Sequence, residues 1–118
     1  MTVAIFPRGG LAYPRTRRRR RVLIGDESEK HFMARIREVA RMFGWVDWHQ
    51  QDSMGTRAGL PDLILLRPPR LIFSELKSEH GRLTIEQSAS LALLELCPAV
   101  EAFCWRPSDW QRIVEVLR

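Results

Sequence analysis

Residues 1–25 contain no aspartate or glutamate, and that absence sets the charge of the whole chain. They carry seven arginines: Arg8, Arg15, Arg17, Arg18, Arg19, Arg20 and Arg21. The chain's formal charge is +5, and subtracting 7 leaves −2 for residues 26–118. The basic character therefore belongs to the leader, and the body is mildly acidic. Cysteine is scarce. Cys97 and Cys104 sit in apolar contexts without metal-type spacing, which argues against a zinc module and for buried, reduced thiols. No apolar run approaches the ~18–20 residues of a membrane span. The N-terminus lacks the apolar core of a secretory signal, so the expected compartment is the cytoplasm. There is no internal repeat.

What is present fits one globular domain. The chain has 118 residues, 45% hydrophobic and 28% charged, enough for a single core. Residues 1–25 are expected to form a flexible arm, since Pro7, Gly9-Gly10 and Pro14 break any periodicity. The domain then spans residues 26–118. A block of like charge commonly meets a polyanion, and arginine forks suit phosphate. The plainer alternative is a solvated tail.

From Phe32, apolar residues recur at Ile36, Val39, Ala40 and Phe43, the spacing of an amphipathic helix. Asp26 with Glu29 has the form of a capping box, and Gly44 is a stop. Trp45–Gln50 reads as a strand, and 52–59 as a polar loop containing Arg57. Thr84 with Gln87 opens a second helix, whose predicted buried stripe is Ile85, Ala89, Ala92, Leu93 and Leu96. Pro98 ends it. Val100–Trp105 is a strand, and Ser108 with Gln111 caps a last helix that buries Ile113, Val114 and Leu117. The fold class is α/β: helix, three strands, helix, strand, helix. A helix crossing between strands three and four makes that pair parallel.

The centre of the chain is Gly59-Leu60-Pro61-Asp62, the apolar run 63–66, Pro68-Pro69, then Leu71-Ile72-Phe73-Ser74-Glu75-Leu76-Lys77. Two apolar runs around a proline break read as a β-hairpin. If the turn is symmetric about Pro68-Pro69, Leu66 faces Leu71, Ile64 faces Phe73 and Asp62 faces Glu75. Directly opposed Cβ atoms lie ~4.5–5.5 Å apart, where like charges are destabilising. Two carboxylates so placed point to a cation between them, and hard oxygen donors suit Mg²⁺ or Mn²⁺. Such a metal, held by Asp62 and Glu75, lowers the pKa of bound water and offsets charge on a leaving oxygen. The Leu76 carbonyl is a candidate third ligand. Lys77, two residues from Glu75 on one strand face, can orient the water and meet the phosphate.

Together, Glu29 on the first helix, Gly59-Leu60-Pro61-Asp62, Glu75-Leu76-Lys77 and Gly81-Arg82-Leu83-Thr84 leading to Gln87 resemble the PD-(D/E)xK nucleases. Their details are similar to the virus-type replication-repair nuclease (VRR-NUC) branch, whose small phage-encoded members are stand-alone domains. The resemblance covers roughly residues 28–106. It implies a restriction-endonuclease-like fold, a mixed sheet flanked by helices. It also implies metal-dependent hydrolysis of DNA phosphodiesters at branched, junction or flap structures in replication, recombination or repair. A homodimer in a bacterial or phage-infected cell is implied as well. Under it, Glu29 joins the metal through a water and Gln87 joins the catalytic set. The resemblance says nothing of the arginine arm; Arg57 and Arg82 are expected, with the arm, to contact DNA.

Each residue also has a plainer reading. Asp62 can be a turn acid, and Glu75 and Lys77 an exposed strand face of alternating charge. Glu29 and Gln87 can be helix caps, His80 an exposed loop residue, and the tryptophans core or interface aromatics. The alternative function is a catalytically silent DNA-binding module of the same fold. An RNA-binding aromatic platform is not evident.

Overall fold

Ser28, rather than Asp26, starts the first helix. Its hydroxyl accepts from the His31 N–H at 3.1 Å, and α1 runs Glu29–Met42. In the computed structural model the described residues are 27–50 and 58–118, so Asp26, Arg57 and the arginine arm lie outside them. Phe32, Ile36 and Ala40 are fully buried, while Val39 and Phe43 pack at the core's edge. Gly44 ends the helix in the left-handed region, φ +90°, where a side chain would be strained.

Strands β1 (Val46–His49), β2 (Leu63–Arg67) and β3 (Arg70–Leu76) form an antiparallel meander, and β4 (Glu101–Trp105) joins β3 in parallel. The sheet order is β1-β2-β3-β4. The hairpin has the expected register: Leu66 pairs with Leu71, Ile64 with Phe73, and the ladder ends at Leu63 opposite Ser74. Leu63, Leu65, Ile72 and Leu76 alternate onto one face and meet α1 and α3 (Trp110–Leu117), which adds Ile113 and Leu117. Trp45 and Trp105 complete this core, and the Trp45 indole donates to the Leu117 carbonyl at 2.8 Å.

Helix α2 (Ile85–Glu95) carries the crossover from β3 to β4. Its cap is the expected one. The Thr84 hydroxyl accepts from the Gln87 N–H, and the Gln87 side-chain oxygen accepts from the Thr84 N–H. Its expected stripe is on the wrong side. Ile85, Leu93 and Leu96 are 86%, 67% and 78% exposed, Ala89 and Ala92 are exposed too, and Leu91 is the buried hydrophobe. Its apolar residues are scattered around the helix among Glu86, Gln87, Ser88, Ser90 and Glu95, so periodicity cannot select the inward face. With that face turned out, Cys97 is exposed rather than buried, and Cys104 is half-buried; both thiols are free. Ser108 does not cap α3. A 3₁₀ turn, Pro107–Asp109, intervenes, Asp109 accepts from the Arg106 N–H, and the Ser108 hydroxyl donates to Glu79. No described helix is long and apolar enough to cross a membrane.

Candidate active site at the end of the hairpin

Gly59 allows the approach to β2. Its φ is +87°, and a Cβ there would stand 2.6 Å from the Glu86 carbonyl oxygen. Only glycine lets this turn lie against the first turn of α2. Pro61 is buried, and Gln50 binds the stretch twice, its N–H donating to the Asp62 carbonyl and its amide to the Pro61 carbonyl. Asp62 is thereby set just before β2, and its Oδ2 accepts from the Leu76 N–H at 3.0 Å.

Continuing the hairpin register one step brings Asp62 opposite Glu75, and the two carboxyl groups meet. Glu75 is 2% exposed, and its Oε1 has no hydrogen-bond partner. Burial, then the hydrogen bond and charge of Asp62, push its carboxyl up to about 8. The nearby Lys77 opposes this, with Nζ 3.9 Å from Oε2. An isolated anion in a dry site costs free energy, so Glu75 keeps a proton until something positive replaces it.

Glu29 does not cap α1, but it does reach the motif: its Oε2 accepts from the Ser78 N–H at 3.3 Å. The segment after Lys77 is fixed by the residue that follows β4. Arg106 Nη1 lies 2.8, 3.3 and 2.6 Å from the carbonyls of Ser78, Glu79 and Gly81. Gln87 has its side-chain oxygen in the α2 cap, and Arg82 and His80 are exposed.

An open cleft of about 780 Å³ runs between α1 and the strand ends, with Glu29, Lys30, Arg37, His49, Asp62 and Leu76 in its wall. Glu75 and Lys77 are not among its lining, so Asp62 is the member of the carboxylate pair that reaches it. Arg37 and His49 carry no motif and were not expected here. Arg37 is tied to Asp47, which Arg41 also binds. Burial pushes Asp47 up, but the hydrogen bonds from Arg41 and Arg37 outweigh it and hold the carboxyl below its ordinary range.

Two hard-oxygen donors in contact, one with an orphaned oxygen, suit a divalent cation. Among the described residues no three His, Cys, Asp or Glu side chains form a metal-binding group. A cation here would take two carboxylates and complete its shell with backbone oxygen and water, an arrangement common for Mg²⁺.

The VRR-NUC domain family model matches residues 12–105. The match takes in the arginine run, beyond the span on which the motifs rest. A solved structure described as a VRR_NUC domain has a TM-score of 0.61 at 18% identity, covering 74% of this chain and 94% of that one. At that identity the likeness speaks for the fold. No curated protein matches the chain.

Proposed function

This chain belongs to the VRR-NUC domain family, a nuclease-type DNA-processing module, and from that premise we propose a Mg²⁺- or Mn²⁺-dependent DNA endonuclease acting on branched, junction or flap DNA. The observation that carries this reading is the pairing of half-buried Asp62 with buried Glu75, one of whose carboxylate oxygens is unpartnered. These two side chains would hold the metal, with the Leu76 carbonyl as a further ligand and Glu29 reaching it through water. When bound, the metal supplies an acidified water and charge compensation at the leaving oxygen.

The protein's own groups do the rest. Lys77 stands beside Glu75 and would orient the attacking water and meet the scissile phosphate. The Arg106 clamp fixes the segment after Lys77, which limits how far the lysine can wander. The Gln87 amide nitrogen remains available to substrate while its oxygen holds the cap. Arg57, Arg82 and the arm (Arg15, Arg17, Arg18, Arg19, Arg20, Arg21) would bind backbone phosphates.

We place the enzyme as a homodimer. Val46 and Trp48 on β1 are 54% and 57% exposed, and Ile85 and Leu93 on α2 and Leu96 at its C-cap are more so. A second copy would remove these side chains from water. Light scattering during gel filtration measures the mass directly.

A silent DNA-binding module of the same fold is the competing reading, but it gains nothing from a self-repelling carboxylate pair beside a polyanion. The deciding experiment incubates the protein and its Asp62→Asn variant with labelled junction, flap, duplex and single-stranded DNAs in Mg²⁺, Mn²⁺ or EDTA. Cleavage that needs both metal and Asp62 is expected. Binding without cleavage in either metal selects the silent module.

A further inference from the structure

Arg37 and Arg41, one turn apart on α1, share Asp47 unequally. Arg41 grips both carboxylate oxygens, Nε to Oδ1 at 2.8 Å and Nη2 to Oδ2 at 3.1 Å. That two-pronged geometry is the strong form of the pair. Arg37 adds a single bond, from Nε to Oδ2. Two guanidinium charges against one carboxylate leave a net positive charge. The difference between them is position: Arg37 lines the cleft and Arg41 does not. Arg37 Nη1 lies 3.4 Å from Nε2 of His49, another cleft residue.

If α1 needed only to be pinned to β1, the Arg41 fork would suffice. The second guanidinium instead brings its Nη1 to His49, in a wall that also contains Asp62. Lys30 lines the same wall, and Met33 and Ala34 give it an apolar patch. The cleft's volume lies within the ~300–1,000 Å³ of small-ligand sites. Charge at one edge, an apolar wall beside it and the carboxylates beyond match one nucleotide of a strand passing through.

We propose that Arg37, with Lys30 and His49, is a backbone-phosphate subsite for the nucleotide next to the scissile phosphate, with that nucleotide's sugar against Met33 and Ala34. The subsite rests on the nuclease reading of Asp62 and Glu75, and adds to it a residue that holds the strand and takes no part in the chemical step.

Arg41 supplies the control. Arg37→Gln and Arg41→Gln each remove one charge and one partner of Asp47, so a purely structural role predicts at least as large a loss for Arg41→Gln, which breaks the two-pronged pair, as for Arg37→Gln. The assay is fluorescence anisotropy with a labelled duplex in Ca²⁺ across a salt series, beside single-turnover cleavage in Mg²⁺. Arg37→Gln should bind about tenfold more weakly, as for loss of a charged hydrogen bond. Its slope of log K against log salt should shrink by ~0.9, the value for one phosphate. Its cleavage rate at saturating DNA should stay within about threefold of the parent. Arg41→Gln should keep the parent's slope. Should Arg37→Gln fail to fold, Arg37→Lys keeps the charge beside Asp47 without Nη1, and should still bind several-fold more weakly. Equal slopes and affinities for the two glutamine variants overturn the subsite while the nuclease reading stands. A larger loss in saturated rate than in binding for Arg37→Gln also overturns it. A parent protein that binds no DNA removes the subsite together with the reading beneath it.

Discussion

Replacing Glu75 with glutamine removes a charge that the folded site holds badly. The carboxyl moves from its ordinary 4.5 to about 8, first through burial and then through Asp62. Between those values the native protein binds a proton that the unfolded chain has released. Stability is therefore unimpaired by this group below pH 4.5. It falls as pH rises, by about 1.4 kcal/mol per pH unit, until the folded carboxyl ionises near 8. The accumulated cost at pH 9 is at most about 5 kcal/mol, a large part of the ~5–15 kcal/mol that holds a domain together. Glutamine has nearly the same shape, and its amide can donate to Asp62 as protonated Glu75 does. Thermal melts in EDTA from pH 5 to 9 test this. Parent and variant should lie closest at pH 5 and diverge above it. At pH 9 the variant should lead by roughly 10 °C or more, given ~4–8 °C per kcal/mol for a domain near this size. Adding Mg²⁺ should close the gap, because only the parent gains from the ion. Parallel melting curves across the range, or a parent more stable than Glu75→Gln at pH 9, would refute the account of a strained carboxylate pair.

Lys77→Ala should slow the single-turnover rate far more than it weakens DNA binding in Ca²⁺; equal losses would make it a positioning contact instead. Deleting residues 1–25 should weaken binding to all DNAs alike and flatten the salt dependence, by ~0.9 in slope for each phosphate the arm had neutralised. Cleavage at saturating DNA should persist, and an unchanged slope would mean a passive tail. Gly59→Ala should lower stability by roughly 1–3 kcal/mol in chemical denaturation, since it meets both a positive φ and the Glu86 carbonyl; a neutral result would show that the turn can shift freely.

The hairpin was the most legible part of the chain. Period-two alternation around a symmetric proline turn leaves one register, and from it the meeting of Asp62 with Glu75 follows. The Thr84–Gln87 cap was equally plain, because its two reciprocal bonds need only local geometry. The inward face of α2 was not legible. Ile85, Ala89, Ala92, Leu93 and Leu96 make as good a stripe as the face actually used, and the contact of Gly59 with Glu86 is tertiary. At the start of α1 the capping-box spacing of Asp26 with Glu29 drew the reading, whereas the cap in the structure is Ser28, which lacks a Glu or Gln three residues on. Ser108 was drawn from its expected cap by Glu79, a residue 29 positions away. Arg37 and His49 have no motif spacing. A faint signal existed in two arginines four apart on one flank of α1, more charge than the single Asp47 on β1 could balance.

The bond from the Leu76 N–H to Asp62 has a consequence for any survey of substitutions at this position. The carboxylate sits where the backbone ladder of β2 and β3 stops, and it satisfies the next amide in place of a main-chain carbonyl. Screening a variant library for soluble expression alone, with no DNA in the assay, should therefore already show a preference at residue 62. Asparagine would pass, because its side-chain oxygen can still accept from Leu76, whereas alanine and leucine would be depleted for leaving that amide unpaired. Intolerance at Asp62 is thus a mixed signal in such data, and only the contrast between asparagine and alanine separates chemistry from folding.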